Sequence, residues 1–149
     1  MVELSLLFGR KKVFVSPDTR PIIMAIDDDP VVLNLVVVIL KKKYRLRPFT
    51  SARMAFKYLA LPGATADLVL LDYHMADMNG PEVLAKLRSD AATSSIPVIY
   101  LTGLIDEGGP AELLKSGAAD FISKPPQAET LLAKVEEWLP VAGAAPDQA

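Results

Sequence analysis

Three consecutive acids, Asp27, Asp28 and Asp29, follow the apolar run IIMAI at 22–26 and stand directly before Pro30. Like charges gathered at one spot repel and make ionisation costly, so this cluster needs a cation, a chemical task or a helix end to cap. Asp29 reads as the cap, because a proline in the first helical turn follows it. Three further apolar runs lead to groups with chemistry of their own: ADLVLLD ends in Asp72, IPVIYLTG reaches Thr102, and ADFISKPP reaches Lys124. Two or three carboxylates suit a hard divalent cation, and Mg²⁺ typically takes one or two of them together with waters and phosphate oxygens. Lysine is a point-charge partner for phosphate, a threonine hydroxyl donates to a phosphate oxygen, and an aspartate is able to accept a phosphoryl group as nucleophile. Phosphoryl transfer asks a protein mainly for positioning and charge neutralisation, and a bound Mg²⁺ also relieves the repulsion among the acids.

Bringing these four places together is the task of the elements around them. The continuous apolar runs read as strands buried on both faces. Between them lie helical patterns: from Pro30 through VVLNLVVVILKKK, over about 51–61, from Pro81 to about Arg88, over about 111–116, and from about Gln127 to Leu139. The valine-rich first pattern is assigned to helix on its length, its cap and the lysines at its C-terminal end. The last carries Leu131, Leu132, Val135 and Leu139 on one stripe. A short strand over Arg45–Phe49 completes the set. Alternating strands and helices imply an α/β domain, a doubly wound parallel sheet of five strands. In such sheets ligands bind beyond the carboxyl ends of the strands, where Asp27, Asp28, Asp72, Thr102 and Lys124 all fall.

Composition narrows the alternatives. The 149 residues suffice for one domain, and 51% hydrophobic with 23% charged residues is ordinary for a globular protein. The net charge of −2 gives no global basic field for nucleic acid, although Lys41, Lys42 and Lys43 form a local cluster. The chain has no cysteine, which excludes disulfides, thiolate metal sites and cysteine nucleophiles, and its single histidine, His74, cannot build an imidazole-rich metal site. Val31–Leu40, interrupted by Asn34, is far shorter than the roughly 20 residues of a spanning helix, and the N-terminus lacks the order of a signal peptide. A cytoplasmic protein without membrane or nucleic-acid partners is therefore expected.

The motifs IDDDP, LLDYHMADMNG, LTG and DFISKP, in this order, resemble those of the response-regulator receiver domain, of the CheY-like chemotaxis-regulator type, from two-component signalling. Their intervals fit as well, with 44 residues from Asp28 to Asp72, 30 to Thr102 and 22 to Lys124. The resemblance covers 21–139, leaving 1–20 as an N-terminal arm and 140–149 as a tail expected to be disordered. It implies a flavodoxin-like (βα)5 fold with Asp72 as phospho-acceptor. Asp28 is implied as a direct Mg²⁺ ligand, Asp27 as an assistant through water, and the backbone carbonyl of His74 as the third protein ligand. Thr102 takes the place of the switch hydroxyl, Lys124 that of the phosphate-holding lysine, and Phe121 that of the aromatic switch residue. The Lys124–Pro125 peptide matches one that is usually cis in the family. The implied partners are a histidine kinase or histidine phosphotransfer protein and a downstream target.

Several positions depart from the family pattern. Ala76 stands where proline is usual, which removes some rigidity from the loop after Asp72. The glycines and proline of EGGP, 107–110, fall where the fourth helix should begin, so that helix should be short. Val31, Val37 and Val38 make the first helix apolar nearly all round, so a partner, a second subunit or the arm, with its LSLLF and VFV segments, should cover it. Arm packing or an arm-mediated homodimer is the favoured solution. Trp138 is assigned to packing or partner contact.

Two rival functions use the same residues. A haloacid-dehalogenase-type phosphohydrolase would take Asp27 as nucleophile and Asp29 as acid/base, with Thr102 and Lys124 following. It requires an acidic loop after the lysine, whereas Glu129, Glu136 and Glu137 lie on the last helix, and it leaves Asp72 without a role. A receiver-like module that signals without phosphorylation is the other. The reading is thus a stand-alone, Mg²⁺-dependent receiver in a phosphorelay, which catalyses its own modification and is not an enzyme in the turnover sense.

Overall fold

The computed structural model describes residues 4–8, 11–15, 17–103 and 109–139. In chain order the elements are β1 (Leu4–Phe8), β2 (Lys11–Val15), β3 (Ile22–Ile26), α1 (Pro30–Leu40), β4 (Arg45–Phe49), α2 (Ala52–Leu59), β5 (Leu68–Asp72), α3 (Gly80–Ser89), β6 (Val98–Thr102), α4 (Gly109–Lys115), β7 (Asp120–Ser123) and α5 (Ala128–Trp138). Strands β3 to β7 form one parallel sheet in the order β4-β3-β5-β6-β7, while β1 and β2 pair antiparallel as a separate hairpin. That hairpin gives the arm a structure the sequence reading did not assign. The tail at 140–149 and residues 104–108 lie outside the described residues.

The central strands β3, β5 and β6 are buried along their whole length, which is why they read as unbroken apolar runs rather than alternating ones. Successive side chains serve opposite faces. Ile23, Ala25, Leu68, Leu70, Ile99 and Leu101 pack with α1 and α5. Met24, Ile26, Val69, Leu71, Val98 and Tyr100 pack with α2, α3 and Leu113 of α4. The chain leaves β3 for β4 on one side and returns to β5 on the other. That reversal opens a crevice between the carboxyl ends of β3 and β5. Pro48 lies in β4, an edge strand, where its missing N–H is tolerated.

Local signals set the helix starts. Asp29 caps α1 by accepting from the Val31 amide, and Ser51 caps α2 through Met54. Asn79 and Glu82 form a reciprocal capping box at α3. The α4 helix is short, as its glycines imply, at 7 residues. On α1, Leu33, Val36 and Leu40 face the core, whereas Val31 is 73% and Val38 62% exposed and Val37 is half-buried. No described helix is long and apolar enough to cross a membrane.

One glycine fixes how closely α3 approaches the sheet. A Cβ at Gly80 would lie 2.9 Å from Tyr100 Cε1, 3.0 Å from Tyr73 Cα and 3.1 Å from the Asp72 carbonyl oxygen. The Gly80 amide also donates to the Tyr73 carbonyl at 2.9 Å, closing the loop that follows Asp72. Alanine is favoured over glycine in helices by ~1 kcal/mol, yet here overpacking reverses the sign. Gly80→Ala should destabilise the fold by about 1–3 kcal/mol in urea titrations, and a neutral or stabilised variant would show that α3 moves aside freely.

Candidate functional site

The crevice between β3 and β5 is acidic. Asp27, immediately past β3, is anchored by its backbone amide on the Phe49 carbonyl and is fully buried. Its Oδ1 accepts from the Asp29 amide at 2.9 Å and its Oδ2 from Lys124 Nζ at 3.2 Å. Asp28, next in the chain, is exposed, and its Oδ2 accepts from the Ala76 amide at 3.3 Å. Asp72, the last residue of β5, is buried; its Oδ1 accepts from Lys124 Nζ at 2.9 Å and from the His74 amide at 3.2 Å. Its other oxygen, Oδ2, is buried without a hydrogen-bond partner. Carboxylate oxygens of Asp27, Asp28 and Asp72 all lie within 4.8 Å of one another.

Strand β7 ends at Ser123, one residue short of the expected Lys124, but that lysine is still aimed inward. Its amide donates to the Thr102 carbonyl at 2.8 Å and the Lys124–Pro125 peptide is cis, as the resemblance implied. Thr102 is buried at the end of β6, one residue beyond Leu101, which pairs with Asp72. His74 is exposed and its ring meets Tyr73 edge-on at 4.9 Å. Phe121 is half-buried in β7, with Lys134 Nζ 5.8 Å from its ring centre. Asp27, Asp28, Asp72 and Lys124 are thus brought together directly, with Thr102 buried at the neighbouring strand end, His74 exposed in the loop after Asp72 and Phe121 on β7, two strands from β5.

Charge and burial define what this arrangement can do. Burial pushes the Asp72 carboxyl up to about 6, reinforced by Asp27 and only partly offset by Lys124 and the His74 amide. Burial also works against the Lys124 ammonium, but Asp72 and Asp27 outweigh it and hold its pKa above the ordinary lysine value. Three carboxylates against one ammonium leave two negative charges when all are ionised. Together with the orphaned Asp72 Oδ2, that set fits a hard divalent cation. Asp29 stays outside the cluster as the α1 cap, which removes the acid/base residue that the phosphohydrolase reading requires.

Two contributors were not found by sequence reasoning. Ala76 ties the loop after Asp72 to Asp28 with a backbone amide that proline would lack, so the departure that removes ring rigidity adds a hydrogen bond. Gly80 permits the tight approach behind Asp72; its place after MADMN, opening a helix, was the only signal.

The family model described as response regulator receiver domain matches residues 23–136. The chain belongs to that family. Among curated relatives, this receiver is 32% identical over 117 residues to hybrid signal transduction histidine kinase D of Dictyostelium discoideum, covering 78% of this chain and 7% of the kinase. It is 29% identical over 113 residues to the two-component response regulator ORR3 of Oryza sativa, covering 73% of this chain and 83% of that protein. The chain spans less than a third of the length of the first relatives it matches. The receiver domain of a histidine kinase from Syntrophus aciditrophicus superposes with a TM-score of 0.71 at 28% identity, covering 87% of this chain and 96% of that one. Chemotaxis protein CheY4 of Vibrio cholerae gives 0.70 at 24%, covering 81% and 100%, and so supports the fold alone. The doubly wound receiver fold expected from the sequence is the one found.

Because Asp72 is harder to ionise in the folded receiver than in the unfolded chain, its contribution to stability is intact below about pH 4 and is lost as pH rises through about 6. Asp72→Asn carries no charge at any pH. It should be more stable than wild type at pH 8, on the order of 2 kcal/mol, with the gap closing towards pH 4. Urea unfolding of both proteins at the two pH values measures this. A variant less stable at pH 8 would show that the Lys124 pair outweighs burial.

Proposed function

We propose that this receiver accepts a phosphoryl group from a phosphohistidine donor on Asp72, and that the modification switches its binding to a downstream partner. The observation that carries this reading is the orphaned Oδ2 of Asp72, a nucleophile's lone pair held beside Asp27, Asp28 and Lys124. Asp28 and Asp72, with the His74 carbonyl, would hold Mg²⁺, and Asp27 would assist through water. When bound, the ion supplies the positive charge that keeps Asp72 ionised and neutralises the incoming phosphoryl oxygens. A carboxylate oxygen of Asp72 attacks phosphorus as the P–N bond of the donor breaks, and the electron pair goes to the departing imidazole nitrogen, which takes up a proton from solvent. Lys124 holds a phosphoryl oxygen as a point charge. The Thr102 hydroxyl donates to another, and Phe121 follows as the switch between two surface states. A histidine kinase or phosphotransfer protein is the donor in this scheme.

Intact mass after incubation with a small-molecule phosphodonor tests the chemistry, with and without Mg²⁺, on wild type, Asp72→Asn and Asp27→Asn. A Mg²⁺-dependent gain of one phosphoryl group, lost in Asp72→Asn, is expected. No gain in the wild type would favour a module that signals without phosphorylation. A gain that survives Asp72→Asn but disappears in Asp27→Asn would restore the phosphohydrolase.

His74 is exposed two residues after Asp72, and on this reading its imidazole screens the acyl phosphate from hydrolytic water. His74→Ala should shorten the lifetime of the phosphorylated protein severalfold in a dephosphorylation time course; an unchanged lifetime rules the screen out.

A further inference from the structure

From Pro30 to Ala66 the chain carries seven lysines and arginines and no acid, leaving nine cations against eighteen acids elsewhere. Two of the seven, Arg53 and Lys57, sit one turn apart on α2 and line a cavity of about 550 Å³ whose opposite wall is α3. Lys86 of α3 is the third cation there, its Nζ 4.3 Å above the Phe56 ring. The single acid on this cavity, Asp77, is engaged in accepting from the Arg53 backbone amide. Among the described residues Arg53, Lys57 and Lys86 form no salt bridge. A second cavity of about 350 Å³ shares Phe56, Ala60 and Lys86 with the first and runs on between the two helices as far as Thr65 and Ile96. The result is one groove along α2 and α3 with an apolar floor, rimmed by the three cations at the first cavity; Asp90, the acid of the second, accepts from the Ala92 amide, and Met54 of α2 and Leu61 just beyond it stay exposed.

We propose that this groove is a docking site for an acidic amphipathic helix of a partner protein. Cations at i and i+4 on one wall present the spacing at which a helix displays a pair of carboxylates on one face. Lys86 meets a third carboxylate from the other wall. An aliphatic side chain between the acids seats on Phe56, Ala60 and Met78, as helix-in-groove recognition requires. A nucleotide is disfavoured by the same geometry, because Lys86 covers the ring face on which a base would stack. A charge-complementary partner here would associate faster at low salt. The site lies on the α2–α3 side of the sheet and does not depend on the phosphoryl chemistry, so it is tested on the unmodified chain without Mg²⁺.

The test is a titration of the ¹⁵N-labelled full chain with a blocked helical peptide carrying leucines at i, i+4 flanked by glutamates, and with its glutamine counterpart. Amide shifts confined to 53–61 and 77–93, binding at least tenfold weaker in Arg53→Glu/Lys57→Glu, at least tenfold weaker for the glutamine peptide, and affinity falling with salt are expected. Both substituted residues are exposed, so the fold is not at stake, and Ala60→Trp, which fills the floor, should weaken binding similarly. Shifts centred on Lys41–Arg47 would reduce the effect to general cationic attraction and overturn the site. Equal binding of the glutamine peptide would overturn the acidic partner. Equal response to inorganic pyrophosphate would make this a small-anion site, and concentration-dependent shifts of the same amides without peptide would make a second copy the occupant; either result overturns the proposal.

Discussion

Two buried carboxylates share one ammonium, and much of the molecule is arranged to hold them there. Asp27 and Asp72 lie at the ends of adjacent parallel strands, and Lys124 reaches both from beyond β7, two strands away from β5. Removing Lys124 would leave both buried carboxylates without a counter-charge, the costly way to break such a cluster. The strands must therefore keep their register. A one-residue slip of β5 would carry Asp72 to the other face of the sheet and put a neighbour in its place. The unbroken burial of β3, β5 and β6 supplies the force that prevents such a slip. The core and the site are thus one structure: the apolar runs fix the positions, and the acids stand at the carboxyl ends of the strands those runs form.

The distribution of charge across the sheet gives the molecule two unlike halves. The segment holding α1, β4 and α2 is wholly cationic, and the remainder is acidic. The acid crevice lies where β3 meets β5, and Lys124 is the cation that reaches its buried carboxylates. The groove between α2 and α3 starts on the far side of the same loop that leaves Asp72. Met75 to Asn79 thus separate two regions of opposite sign.

Much of the fold was legible because the buried parallel strands declare themselves as apolar runs, and the helix starts carry Asp29, Ser51 and Asn79. The site was legible because Asp27, Asp28, Asp72, Thr102 and Lys124 each end or follow a strand, and the sheet leaves them no other edge. What stayed hidden was of a different kind. The hairpin of β1 and β2 lies in a segment without a turn signal stronger than Gly9. The Ala76 amide bond to Asp28 is a backbone contact, and no side-chain pattern encodes it. The exposure of Val31 and Val38 runs against composition, since a valine-rich helix reads as buried on every side. The groove depends on how two helices lie against each other, which periodicity within either helix does not specify.

Tyr100 lies between the start of α3 and the end of α4. Its ring edge meets Gly80, and its hydroxyl is 3.3 Å from Ser116 Oγ, which itself donates to the Leu113 carbonyl. These two contacts differ in mechanical character. Steric contact resists compression and has almost no tensile strength, whereas a hydrogen bond holds under tension as well. A shift of the α3 N-terminus towards the sheet therefore compresses the ring contact, while a shift away is opposed by the Gly80 amide bond to the Tyr73 carbonyl and not by the ring. The ring is the strut at this junction and the Gly80 backbone hydrogen bond is the tie beside it.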